Sequence, residues 1–236
     1  MKNHLPYWRG LVGCVVFGFA AVATAMAAPA RFVAALEAGK PQHIVIYGTS
    51  LSKGGAWVSQ MEAALNERYP GLVKITNSAR GGQSSKWGRA NVQAGVIAHQ
   101  PDAVFIEFAI NDAVARFNLS VEQVRDNVEF MITRIKQELP ACEIILQIMN
   151  PVVGHAEGGR SHRRNQEAYQ QVYRDAAARH GLLLIDHSIA WNELLAEQGE
   201  EGFKRWVPDG IHPRAAAYAR IVTPQILKAI GLPGAE

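Results

Sequence analysis

The sequence predicts a three-layer α/β/α sandwich built on a flavodoxin-like, five-stranded parallel sheet. Three observations carry that prediction. Apolar runs of strand length at residues 43–47, 72–76, 103–109, 143–149 and 182–186 alternate with segments of helical length and spacing at 55–69, 86–99, 120–138, 163–180 and 214–230. The strand runs are continuous, as in Val104-Phe105-Ile106 and Leu182-Leu183-Leu184-Ile185, the pattern of a sheet covered by helices on both faces. Right-handed crossovers between parallel strands then give the three layers, and 2-1-3-4-5 is the strand order expected of such a sandwich.

Taken in order, the first strand runs into a glycine turn and a cluster of hydroxyls, Gly48-Thr49-Ser50-Leu51-Ser52, and the first helical pattern begins near Gly55. The second strand ends in Asn77-Ser78-Ala79-Arg80-Gly81-Gly82, the third in Ala109-Ile110-Asn111-Asp112. Ser120 followed by Glu122 and Gln123 marks a helix start, and Pro140 ends that helix. Cys142 heads the fourth strand and reads as inert packing. From Asn150 to about Arg164 the periodicity breaks, with three glycines, two histidines and three arginines, which predicts a loop over the carboxyl edge of the sheet. His180-Gly181 closes the next helix, and Pro213 fits the first position of the last one.

A chain of 236 residues that is 48% hydrophobic can bury one sizeable core, and one domain is expected over residues 28–236. Residues 1–27 read as a signal peptide: Lys2 and Arg9 precede an apolar run from Leu11 to Ala23, then Ala25-Met26-Ala27. Its removal takes Lys+Arg from 24 to 22 against 21 Asp+Glu, so the net charge falls from +3 to +1. The expectation is a secreted or periplasmic protein with no stable membrane insertion after cleavage. An uncleaved anchor over residues 11–30 is the alternative, since that stretch is just long enough to span a bilayer. Leu11-Val12-Gly13-Cys14 has the letters of a lipoprotein signal, but its apolar run follows the cysteine where it should precede it. With Cys14 lost, Cys142 has no partner for an intramolecular disulfide. A near-neutral surface without a basic, aromatic-interleaved stripe excludes nucleic acid as a partner.

Each strand-to-helix junction at the carboxyl edge carries an unusual polar residue, and in a doubly wound sheet these junctions converge on one crevice. A serine nucleophile needs a base, a group to orient the base, and donors aimed at the developing oxyanion. Ser50 is the candidate nucleophile and His212 the base. Asp209, three residues earlier in a turn containing Gly210, can hold the other ring nitrogen. The helix expected after Pro213 would favour the neutral imidazole. Backbone N–H groups of Ser50 and of a glycine in Gly81-Gly82, with the Asn111 amide, are candidate oxyanion donors. Glycine lets the substrate oxygen approach without meeting a Cβ.

The four segments Gly48-Thr49-Ser50-Leu51, Asn77 to Gly82, Ile110-Asn111-Asp112 and Asp209-Gly210-Ile211-His212-Pro213 resemble the ordered blocks of the SGNH hydrolases, the GDSL esterase/lipase family, across residues 42 to about 230. The resemblance implies Ser50 as nucleophile, Asp209 and His212 as the rest of a triad, and Ser50, Gly82 and Asn111 as the oxyanion hole. Gly82 is favoured over Gly81 because it stands five after Asn77. Two positions depart from the family pattern: Thr49 replaces the aspartate of the GDSL motif, and Ala109 replaces a glycine two before the asparagine. Ser52 excludes the G-x-S-x-G elbow of the α/β-hydrolases.

Other polar residues have plainer readings. Asp186 and His187 are adjacent on a strand, so they point to opposite faces. His43, His99 and His180 read as surface or capping residues, and Asp112 as a helix cap or structural hydrogen-bonder. His155 and His162 lack a third ligand at regular spacing apart from Glu157, so no metal or other cofactor is expected. Trp87, Arg89, Arg160 and His162, with Arg163 and Arg164, are candidate substrate contacts. The expected activity is hydrolysis of short-chain esters, carbohydrate O-acetyl esters first, through an acyl-enzyme, on a small-molecule or glycan substrate. A lysophospholipase or thioesterase of the same family, and a non-catalytic polysaccharide-binding protein of the same fold, are the alternatives.

Overall fold

A computed structural model describes Met1 and residues 29–157, 159 and 161–232. The predicted signal segment apart from Met1, most of the alternative anchor, and Arg160 lie outside the described residues. Helix α1 (Arg31–Glu37) leads into β1 (Gln42–Gly48), followed by α2 (Ser50–Lys53), α3 (Trp57–Arg68), β2 (Val73–Asn77), α4 (Ser85–Gly95) and β3 (Ala103–Glu107). Then come α5 (Ala109–Asp112), α6 (Val121–Glu138), β4 (Glu143–Ile148), α7 (Gln166–His180), β5 (Leu183–Asp186) and α8 (Ser188–Trp206). The last helix is α9 (Ala215–Ala217), a π-helical turn (Tyr218–Val222) and α10 (Thr223–Ala229) in succession.

All five strands are parallel, in the order β2-β1-β3-β4-β5 that the alternation predicts. Alternate residues of each strand feed two separate cores. Ile44, Ile46 and Phe105 pack with Phe32, Trp57, Trp191 and Ile226 on one face, whereas Val45, Tyr47, Val104 and Ile106 pack with Met131 and Tyr173 on the other. Helices therefore cover both faces, and the carboxyl ends of β1 and β3 lie side by side at the centre, with Gly48 opposite Glu107. Among the described residues no helix is long and apolar enough to cross a membrane.

The helix ends follow their local chemistry. Ser120 and Gln123 form a reciprocal capping box on α6, and Gly181 ends α7 in the left-handed region at φ 61°. Four departures from the sequence reading have physical causes. The third strand stops at Glu107, because Phe108 leaves the extended region (φ −134°, ψ −12°) and opens α5. The hydroxyl cluster expected as a turn forms a short helix of its own, α2, which Gly54 and Gly55 separate from the expected first helix, α3. The helix expected from residue 163 starts at Gln166, since Arg163 pairs with Val114 in an antiparallel bridge and Asn165 is left-handed at φ 48°. Pro213 is not the first helical residue: Arg214 is the N-cap, and the helix begins at Ala215. Helix α8 carries no clean periodic signal because Gly199, at φ 65°, interrupts it.

Candidate active site

The site begins where β1 ends. Thr49 is extended and caps α2, its Oγ1 accepting the Leu51 N–H at 3.2 Å, which places Ser50 at the first turn of that helix. The turn is held from beneath by Glu107, whose Oε2 accepts from the Thr49 amide (3.1 Å), the Thr49 hydroxyl (2.8 Å) and the Ser52 hydroxyl (3.0 Å). A Cβ on Gly48 would lie 2.6 Å from the Glu107 carbonyl oxygen, so only glycine lets β1 pass this close to β3. Burial pushes the Glu107 carboxyl up to about 7, with the Thr49 and Ser52 donors pulling the other way. From the sides, Trp57 Nε1 (3.0 Å) and Tyr218 Oη (3.3 Å) both donate to the Leu51 carbonyl, and Asn77 Nδ2 donates to that of Ser52 (2.9 Å).

The second half of the site is a tight turn between α8 and α9. Asp209 Oδ1 accepts the backbone N–H groups of Ile211 (2.9 Å) and His212 (2.7 Å), while Oδ2 stands 2.6 Å from His212 Nδ1. Partial burial opposes ionisation of Asp209, but the His212 and Ile211 amides and the imidazole outweigh it and lower its carboxyl below the usual range. An ionised carboxylate only accepts, so the proton sits on Nδ1 and leaves Nε2 free to accept. Nε2 lies 2.9 Å from Ser50 Oγ. The structure thus joins residues 162 positions apart into one hydrogen-bonded chain, Ser50–His212–Asp209.

Beside Ser50 opens a cleft of about 340 Å³ whose wall includes Gly54, Gly55, Gly81, His212 and Tyr218. Gly81 approaches Ser50 so closely that a Cβ there would be 3.6 Å from that of Ser50, and Gly82 follows at φ 70°. Asn111 is buried in α5, its Nδ2 donating to the Gln83 carbonyl at 2.8 Å, so one of its two N–H groups remains for another acceptor.

A model of the GDSL-like lipase/acylhydrolase family matches residues 43–220. The chain belongs to this family. Among its relatives is an acetylxylan esterase of Geobacillus stearothermophilus, 25% identical over 183 residues, which cover 75% of this chain and 82% of that protein. Another is the thioesterase 1/protease 1/lysophospholipase L1 of Escherichia coli strain K12, 27% identical over 186 residues covering 74% and 76%. The crystal structure of the Geobacillus esterase superposes with a TM-score of 0.69 at 21% identity, over 84% of this chain and 98% of that one. This GDSL-like protein is thus a carboxylic-ester hydrolase with the SGNH fold.

The remaining candidates do not join the cluster around the hydrolase's serine. Trp87 stacks on Tyr47 (5.5 Å between ring centroids) and Phe108 (6.3 Å), and the Arg89 guanidinium lies 4.5 Å over the Phe130 ring on α6. Neither lines the Ser50 cleft. His162 is half-buried, its Nδ1 3.4 Å from the His155 carbonyl oxygen. Asp186 pairs with Arg174 (2.7 Å), and His187 is buried with its Nδ1 donating to Gln225, burial holding it down to about 4. Asp112 accepts from the Ser85 N–H (2.6 Å) and Tyr173 Oη (2.8 Å), tying α4 to α7. Among the described residues no three His, Cys, Asp or Glu side chains gather as a metal site.

Glu107 is absent from the sequence reading, although a carboxylate at the end of the apolar run Val104-Phe105-Ile106 is itself a signal, since a buried charge requires partners. His155 makes a contact that the sequence does not signal: its Nε2 donates to the Asp209 carbonyl at 3.0 Å.

Proposed function

We propose that this hydrolase is an exported serine esterase that removes short acyl groups, with carbohydrate O-acetyl esters as its substrate class. The observation that carries the catalytic reading is the hydrogen-bonded chain from Ser50 Oγ through His212 to Asp209. Ser50 Oγ gives its proton to His212 Nε2 as it attacks the ester carbon, and the carbonyl electron pair moves onto oxygen. That oxyanion is bound by the backbone N–H groups of Ser50 and Gly82 and by the remaining Nδ2–H of Asn111, with Gly81 leaving the approach open. The imidazolium, stabilised by Asp209, then protonates the departing alkoxide. Water attacks the acyl-enzyme, giving its proton to Nε2, and the collapse of the second tetrahedral intermediate returns that proton to Ser50.

The substrate class draws on the acetylxylan esterase relative and on a modest, glycine-walled cleft beside Ser50. Structures of that esterase include variants with a serine, an aspartate or a histidine replaced, each described as a catalytic mutant. The same three residue types form the hydrogen-bonded chain here, which supports the proposed triad. Export rests on the basic residues, apolar run and Ala-Met-Ala of the first 27 positions.

A fluorophosphonate probe is expected to label the protein once, and Ser50→Ala to abolish labelling. A folded wild-type protein that resists the probe would favour the polysaccharide-binding alternative. In a p-nitrophenyl ester series from acetyl to palmitoyl, the acetyl ester is expected to turn over fastest. Preference for long chains would favour the thioesterase or lysophospholipase reading, which the Escherichia coli relative represents.

A further inference from the structure

The segment from Asn150 to Asn165 is too polar to pack as a core element, yet it is built into the site from both sides. One arm holds the turn that carries the acid and base: the Val153 N–H donates to the Gly210 carbonyl (3.2 Å), His155 Nε2 to that of Asp209 (3.0 Å), and Asn150 Nδ2 to that of Ile211 (3.0 Å). The other arm pairs with the end of α5, through the Val114–Arg163 bridge and the Ala115 N–H on the His162 carbonyl (3.2 Å). Arg163 turns inward from this arm. Its Nε donates to the Ile110 carbonyl (3.2 Å), its Nη1 to that of Ser161, and its Nη2 to Asn111 Oδ1 (3.3 Å). No carboxylate pairs with it among the described residues.

An asparagine amide is nearly symmetric in shape, and which end faces a ligand is decided by its neighbours. Here both neighbours are chemically unambiguous. A guanidinium has only donors, so it selects Oδ1; the Gln83 carbonyl only accepts, so it selects Nδ2. Between them they fix the flip of Asn111 and leave the second Nδ2–H as the group presented outward. A reversed amide would turn an oxygen toward a developing anion. The cation also sits one amide behind that N–H, where it polarises the donor. Burial and the nearby Arg116 push the Arg163 guanidinium down to about 10, still charged throughout the neutral range.

We propose that Arg163 is a positioning residue that orients and polarises the Asn111 amide for oxyanion binding, acting through Asn111 and not on substrate. This rests on the proposed role of Asn111 as an oxyanion donor. It also assigns Arg163 a different task from the substrate contact expected of the arginines in this loop.

The test is a double-mutant cycle on p-nitrophenyl acetate with the full-length protein: wild type, Arg163→Gln, Asn111→Ala and the double variant, with Arg163→Lys as a milder change. Arg163→Gln is expected to lower kcat about 10- to 100-fold with KM moving less than about threefold, as for a misaligned donor. In the Asn111→Ala background the same substitution should cost less than about twofold. Arg163→Lys, which keeps the charge but loses the fork, should fall between. Equal losses in both backgrounds, or an effect mainly on KM, would overturn the proposal. If the wild type neither reacts with the fluorophosphonate nor turns over esters, the functional reading fails, and the orientation claim is then read directly. The two Asn111 Nδ2–H NMR resonances should be sharp and separately shifted in the wild type and should move or broaden in Arg163→Lys; identical spectra would overturn it.

Discussion

Glu107 Oε2 lies 2.8 Å from Thr49 Oγ1 and 3.1 Å from the Thr49 amide nitrogen, so the turn that presents Ser50 rests on a fully buried carboxyl. The departure from the GDSL aspartate has a physical reading here. An aspartate in place of Thr49 would set a second carboxyl against Glu107, whereas the threonine hydroxyl donates to it. In this chain the motif position works as a donor to the floor of the site.

That contact predicts a pH dependence. Burial raises Glu107 from 4.5, and Asp112 from 3.8, to about 7 each. The unfolded chain ionises these groups first as pH rises, so over this interval the folded state binds more protons. Stability therefore falls between about pH 4 and pH 7, each group contributing on the order of 3 kcal/mol, and levels off above. Glu107→Gln should remove its share of that slope in urea titrations at pH 5 and pH 8, leaving the share of Asp112. Thr49→Val, which takes away a donor to the charged form, should destabilise by about 1–3 kcal/mol at pH 8 and by less at pH 5. A cost independent of pH would mean that Glu107 is not the group sensed.

Gly210 is held at φ 73°, and a Cβ there would fall 2.0 Å from the Val153 carbonyl oxygen. Gly210→Ala must therefore displace either the loop or the Asp209 to His212 turn. We expect kcat/KM to fall by about 100-fold, the cost of moving a base by roughly 1 Å, measured beside the melting temperature to separate misalignment from unfolding. Near-normal turnover would show that the loop, not the turn, gives way.

Asp209→Asn tests the tautomer assignment. The asparagine can present its amide N–H to Nδ1, which would shift the ring proton to Nε2 and remove the acceptor that Ser50 needs. Turnover is expected to drop about 10⁴-fold with the fold intact, as wrong-tautomer variants of such triads do. Steady-state kinetics with p-nitrophenyl acetate, with circular dichroism as the control for folding, provides the measurement.

The parallel sheet was legible because strands buried on both faces must be continuously apolar, and its order is the common one for a doubly wound sandwich. The meeting of Ser50 with His212 and Asp209 was legible because each lies at a junction on the carboxyl edge, where a doubly wound sheet converges. Arg163 and Glu107 were not, since their partners lie 52 and 58 positions away and nothing local distinguishes an inward arginine from a solvated one. Helix α8 was hidden by Gly199, and the start of the last helix was misplaced because proline at the first helical position and proline just before the N-cap look alike in sequence.

Trp87 shows how a residue beside the oxyanion segment can belong to the core. From sequence it reads as a candidate substrate contact, because its segment follows the oxyanion glycine. In the structure its ring packs on Tyr47 and Phe108, in the cluster between the sheet and α4, and the Tyr47 hydroxyl donates to the Gly88 carbonyl (2.7 Å) next to it. Since the indole is half-buried, its removal leaves a partly solvent-accessible gap, not a closed cavity. Trp87→Ala should then cost about 2–3 kcal/mol in stability, below most of the roughly 3–5 kcal/mol range of fully buried aromatic deletions. The KM for a small ester should stay within about twofold of the wild type at temperatures where the variant is folded. A selective rise in KM for an acetylated oligosaccharide, with p-nitrophenyl acetate unaffected, would restore Trp87 to the substrate surface.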